Sequence, residues 1–145
     1  MYSKLATALT LVALLAAVGA CGRSDAIKEH QAFCKSREAL YKVEDKGTVG
    51  EFGPALKNFA EDVPDGVPTE LSRTAEQMTS TWDELYATYA QSGGNPDVKL
   101  EVDGEIPPEI AGMNAEWVRG LDMAEVKKLY TYADDECATS AEDEG

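Results

Sequence analysis

The chain has 145 residues, 13 basic and 27 acidic side chains, and a formal net charge of −14. Phosphate recognition needs clustered lysine and arginine, so this balance excludes nucleic acid as a partner; electrostatic docking on anionic lipid is excluded for the same reason. The length accommodates one domain with a core of its own.

Residues 1–20 divide into three zones. Met1 to Lys4 carries one positive charge, Leu5 to Val18 is apolar apart from Thr7 and Thr10, and Gly19-Ala20-Cys21 is small. That layout is a secretory signal. A membrane-spanning helix needs about 20 apolar residues, and the segment turns polar at Gly22-Arg23-Ser24-Asp25 before reaching that length. Cleavage ahead of Cys21 removes one lysine and no acid, which takes the net charge from −14 to −15.

Val18-Gly19-Ala20-Cys21 resembles the lipobox of bacterial lipoproteins, in which an aliphatic and two small residues precede an obligatory cysteine. Val18 and Ala20 also suit the ordinary signal peptidase at the same bond, so the resemblance rests on Cys21. It implies a cysteine carrying two or three acyl chains, palmitate among them, and two or more chains anchor stably where one does not. Residues 21–24 are then the lipidated cysteine and a short tether. Fully extended, Gly22 to Ser24 spans about 10 Å, which places the domain of residues 25–137 close to the headgroups. The expected location is the extracytoplasmic face of the cell membrane.

Apolar spacing is helical through most of that domain. Ser24 is placed to cap a first helix that runs to about Val43, with Ile27, Phe33, Cys34, Leu40 and Tyr41 on its apolar stripe. A second helix carries Val49, Phe52, Leu56, Phe59 and Val63. Its start is open between Thr48, which forms a capping-box pattern with Glu51, and Pro54, which prefers a first turn. The third helix is the clearest. It starts at Pro68 and steps through Leu71, Ala75, Met78, Trp82, Leu85 and Tyr89 as one seam until Gly93-Gly94.

Asn95 to Ile106 alternates apolar and polar residues around Asp103-Gly104. With no second strong strand to pair with, it reads as a loop lying over the bundle. Pro107-Pro108 is expected to launch a short fourth helix through Ile110, Met113, Trp117 and Val118. Asp122 with Glu125 is expected to cap a fifth helix carrying Val126, Leu129, Tyr130, Ala133 and Cys137. Residues 138–145 are small and acidic and are expected to be disordered. The predicted fold is all-α, a bundle of four to five helices.

Three cysteines in an exported chain leave one over. If Cys21 carries lipid, Cys34 and Cys137 pair, and the bond staples the first helix to the last. An oxidising compartment makes two buried free thiols the weaker alternative. The layout of lipobox cysteine, helical domain and one disulfide resembles the small uncharacterised lipoproteins of actinobacteria, a likeness that implies no particular activity.

Catalytic constellations are missing. His30 is the only histidine, which leaves no material for a triad or a histidine-based zinc site. It lies one turn before Cys34, where a thiol–imidazole pair would be possible only if that cysteine were free. No phosphate-cradling glycine loop and no correctly spaced calcium loop is present. The expectation is a protein with no cofactor and no catalysis, acting as an interaction module for a protein partner at the cell envelope. The alternative is a carrier or sensor of an apolar ligand. Trp82, Tyr86, Tyr89, Trp117 and Tyr130 are the candidate ligand groove; the competing and more ordinary reading makes Trp82, Tyr89 and Trp117 core and the other tyrosines half-buried.

Overall fold

The computed structural model describes the backbone of residues 3–143 and the side chains of residues 24–138. It contains α1 (Ser3–Lys46), α2 (Val49–Glu61), α3 (Thr69–Gln91), α4 (Ala111–Gly120) and α5 (Met123–Asp143). Helix α1 packs on α2, α2 on α3, α3 on α5, and α5 back on α1, while α4 rests on α3. The result is a four-helix bundle closed around one core, with the short α4 as an outrigger. Helix α3 meets three of the others, so the longest apolar seam of the domain is also its spine. Among the described residues no helix is long and apolar enough to cross a membrane.

Helix α1 departs from expectation at both its start and its stripe. Its backbone is continuous from Ser3, so residues 21–24 lie within a helix and not on an extended tether. Residues 3–23 are rich in Ala and Leu, strong helix formers, and isolated glycines at about 1 kcal/mol each do not stop the helix. Cys21 lies outside the residues whose side chains are described. The buried stripe of α1 is Phe33, Ser36, Arg37 and Leu40, whereas Ile27 and Tyr41 are 52% and 61% exposed. That spacing of three, one and three is one helical face, but half of it is polar. Ser36 donates to the Asp62 carboxylate at the end of α2, and Arg37 donates to Asp134 on α5 at 3.0 Å. Partners elsewhere in the chain make these two positions interior.

Helix α2 starts at the earlier of its two candidate positions. Thr48 is the N-cap, and its backbone N–H donates to the Glu51 carboxylate at 2.8 Å. Pro54 therefore sits inside the helix, where it has no N–H to give the Gly50 carbonyl. Val49, Phe52, Leu56 and Phe59 are buried as the spacing predicts. Gly53 lies on the same helix against α3. A side-chain carbon there would come within 3.2 Å of Cδ1 and 3.3 Å of Nε1 of Trp82, so the glycine lets the two helices close around that indole.

The segment from Asn95 to Ile106 is a loop, as expected, and it is tied down. The first N–H groups of a helix have no partner within it; here Val49 and Gly50 donate to the carbonyls of Val98 and Pro96, each at 2.9 Å. Leu100 N–H returns to Gly47 at 3.1 Å, and the Tyr89 hydroxyl donates to the Asn95 carbonyl at 2.8 Å. Beyond this, Val102 and Glu105 exchange backbone hydrogen bonds at 2.9 and 3.0 Å across Asp103-Gly104. Both turn residues have positive φ, 54° and 81°, which matches the two-residue hairpin turn that Asp-Gly favours.

Helix α4 begins at Ala111, later than Pro107-Pro108 alone predicts. A proline disfavours helical backbone in the residue before it, so Pro107 cannot lead directly into a helix, and the chain first makes a turn with Ile110 N–H bonded to the Pro107 carbonyl at 3.1 Å. Ile110 and Trp117 are buried, and Val118 is 45% exposed. Asp122 caps α5 as expected, accepting from the N–H groups of Ala124 and Glu125 at 3.0 and 3.4 Å. The α5 backbone continues to Asp143, so the segment expected to be disordered from residue 138 is helical as far as the described backbone extends.

Cys34 and Cys137 form a disulfide with their Cα atoms 5.5 Å apart. The Arg37–Asp134 ion pair and the bond from the Tyr130 hydroxyl to Glu44, at 2.5 Å, follow along the same helix pair. As positions on α1 rise, their partners on α5 fall, so the two helices run antiparallel, cross-linked at three levels.

Candidate functional site

The five aromatic residues of the predicted groove do not line one surface. Trp82, Trp117 and Tyr130 converge on a cleft of about 210 Å³ beneath the strapped loop. Tyr86 faces a second groove between α2 and α3, beside Gly53 and Lys57, which Trp82 also borders. Tyr89 is at the far end of α3, beside Gly93 and Asn95. Tyr86 and Tyr89 pair with each other at 6.2 Å, and neither borders the cleft. On a helix, residues four and seven positions beyond Trp82 share its side of the cylinder, yet Tyr86 and Tyr89 border other grooves, and the loop tie at Asn95 takes up Tyr89.

Side chains from all five helices and the loop build the cleft. Phe52 from α2 meets Trp82 from α3 edge to face at 4.6 Å, and Trp117 from α4 meets Phe52 at 5.7 Å and Trp82 at 5.5 Å. All three pairs are near perpendicular, the arrangement that the ring quadrupoles favour. Leu100 and Ile106 of the loop close one side. Met78, Met113 and Met123 also line the cleft, and the chain's only other methionine is Met1. Methionine is unbranched and adaptable, common where a surface must accept variable apolar shapes. Ile106 and Met123 are each 41% exposed at the rim.

Glu44, Glu101, Asn114 and the Tyr130 hydroxyl also line the cleft. There Tyr130 donates its hydroxyl to Glu44, and the Arg37 guanidinium stacks 4.3 Å from the centre of the Tyr130 ring. Arg37 is divided between two carboxylates, bonding Asp134 at 3.0 Å and standing 4.0 Å from Glu44. Its Nη1 is buried with no hydrogen-bond partner among the described residues. Burial pushes the Glu44 carboxyl above its ordinary value, against the Tyr130 hydrogen bond and the Arg37 charge, while Asp134 adds to the rise. Burial, then the Glu44 charge and hydrogen bond, push the Tyr130 phenol far above its ordinary value of 10.0. Tyr130 is therefore a neutral donor throughout the physiological range.

Trp82 Nε1 is likewise buried without a hydrogen-bond partner among the described residues. Such a group costs about 1–3 kcal/mol, which its ring contacts with Phe52 and Trp117 must offset. His30 Nε2 lies 3.7 Å from the Cys34 sulfur, but that sulfur is bonded to Cys137, so there is no thiol for the imidazole to activate. Among the described residues, no three His, Cys, Asp or Glu side chains converge as metal ligands would.

Sequence reasoning missed Glu44, Phe52, Leu100, Ile106 and the three methionines as site residues. The methionines could have been found by noticing that the whole set apart from Met1 falls on α3, α4 and α5. Nothing in the local pattern of α1 marks Glu44. Comparison with protein-family models, with curated proteins and with solved structures returns no match.

Proposed function

We propose that the protein is an extracytoplasmic lipoprotein, anchored through Cys21, that acts by binding and takes an apolar ligand in the cleft beneath the strapped loop. The observation that carries this reading is the cleft itself: about 210 Å³ of half-open space walled by aromatic and methionine side chains, with a few polar groups among them. Ligand sites are concave, mostly apolar and furnished with a few placed polar groups. A cavity of about 150 Å³ suffices for a molecule such as benzene, so the space suits a small ring or a short branched chain. This moves the balance from a docking module towards a carrier or sensor, because the apolar surface is gathered into a concavity. The docking reading keeps one supporting observation: Ile106 and Met123 expose apolar surface at the rim, where a partner protein would seat.

Trp82 and Trp117 are the only tryptophans in the chain, and both line the cleft, so intrinsic fluorescence reports on it directly. Titration with short aromatic and branched aliphatic compounds should give a saturable change in emission in the wild type. Val126→Trp, which fills the cleft from α5, should remove it. A change that never saturates, or that is the same in the filled variant, would overturn the ligand reading and leave the docking one.

A further inference from the structure

The polar lining of the cleft narrows the class of ligand. Apart from apolar and aromatic side chains, the lining offers Glu44, Glu101, Asn114 and the Tyr130 hydroxyl, and no lysine, arginine or histidine. Glu44 is the deepest of the charged groups, with its side chain 30% exposed. One of its oxygens accepts from Tyr130. The other has only the Arg37 guanidinium at 4.0 Å, beyond hydrogen-bond range, because Arg37 bonds Asp134 instead. The carboxylate is thus underpaired within the protein, and it lines the same cleft as Phe52, Trp82, Trp117 and Tyr130. An aromatic enclosure attracts an organic cation through the ring quadrupoles, and an adjacent carboxylate adds Coulomb attraction. The net charge of −14 raises the local concentration of cations around the whole molecule.

We infer that the cleft selects an apolar organic cation, a substituted ammonium group carrying a ring or short hydrocarbon, with the hydrocarbon among the aromatic and methionine side chains and the charge beside Glu44. The inference rests on the cleft being a ligand site, and it names the chemistry of that ligand. An anion is disfavoured by both lining carboxylates. A neutral hydrocarbon would fill the space but leave Glu44 as underpaired as before, and more thoroughly desolvated. A cation whose hydrocarbon part fits among the methionines meets both demands of the site at once.

The test compares benzyltrimethylammonium with neopentylbenzene, which has the same shape with carbon in place of the charged nitrogen. Binding of each is read from tryptophan emission of the full chain in detergent micelles, with empty micelles as the blank for partitioning. The ammonium compound should bind about tenfold tighter than its isostere. Glu44→Gln should bring the two within about threefold, whereas Lys57→Gln, on the outer face of α2, should leave the preference unchanged. A thermal melt of each variant establishes that it is folded. The wild-type comparison stands even if Glu44→Gln does not fold. Equal binding of the two compounds to wild type would overturn the cation proposal and leave the apolar cleft standing. Binding of neither would overturn both. An ammonium preference that survives in folded Glu44→Gln would overturn the role of Glu44.

Discussion

Replacing both Cys34 and Cys137 with serine opens a loop whose ends are separated by 103 residues, nearly the whole domain. In the chain-entropy account, a cross-link over about 100 residues destabilises the unfolded ensemble by about 4.7 kcal/mol, and losses measured on removing native disulfides run at about 2–5 kcal/mol. The neighbouring contacts between α1 and α5 are too weak to replace it. Asp134 is 60% exposed in its ion pair with Arg37, and pairs of that exposure contribute at most about 1 kcal/mol. The helices themselves should survive, because Phe33 and Leu40 of α1 remain buried in the same cluster as Leu129 and Ala133 of α5. The expected result is a fall in denaturation midpoint of about 10–20 °C, from about 3–5 °C per kcal/mol for a domain of this size. The far-ultraviolet helical signal at room temperature should not change. Thermal melts followed by circular dichroism measure both quantities, and chemical denaturation gives the loss in kcal/mol. A loss below about 1 kcal/mol would show that the staple adds nothing beyond the packing it accompanies. Loss of the helical signal without denaturant would show that the core of α1 and α5 cannot hold the bundle closed.

Trp82→Ala should cost about 3–5 kcal/mol, since the ring is 4% exposed and meets both Phe52 and Trp117; a loss under 1 kcal/mol in urea denaturation would contradict its place in the core. Cys21→Ala should move the protein from the detergent phase to the aqueous phase and remove the mass of the acyl chains. If both forms partition and weigh alike apart from the substitution, there is no lipid anchor. Tyr130 gives a signed pH dependence. Its folded value is raised, so its contribution to stability is fully present below its ordinary value of 10.0 and is lost as pH rises above it. Thermal midpoints taken from about pH 8 to pH 11 should therefore fall more steeply for wild type than for Tyr130→Phe. Parallel curves would place the phenol in a wetter site. Glu44 acts in the same direction at lower pH: its folded value is also raised, so ionising it weakens the fold, and Glu44→Gln should flatten that part of the profile.

The helical seams were legible because burial along them depends on spacing alone. Val49, Phe52, Leu56 and Phe59, and then Leu71, Ala75, Met78 and Trp82, recur at helical intervals and are buried where those intervals place them. The pairing of Cys34 with Cys137 was legible as arithmetic, and the bond is present. Asp122 announced its helix start through short-range hydrogen bonding, which involves only near neighbours in the chain, and Thr48 was one of two candidates for the start of α2. All of this is local chemistry, available before any two helices meet.

The tertiary structure decided the rest. Ser36 and Arg37 are interior because Asp62 and Asp134, 26 and 97 residues away, satisfy them; no reading of α1 by hydropathy would bury an arginine and leave Tyr41 out. The cleft is a product of crossing and closure in the same way. An apolar residue in a seam has the same spacing whether it packs against another side chain or borders empty space. Tyr86 and Tyr89 share a helix with Trp82, yet they border other grooves, and the tie from Tyr89 to Asn95 fixes the second of them there. Glu44 becomes a site residue only because α5 brings Tyr130 against it from 86 residues along the chain. Spacing along one helix determines which face is buried. What that face meets, and whether the contact is complete, depends on distant segments whose positions no local pattern encodes.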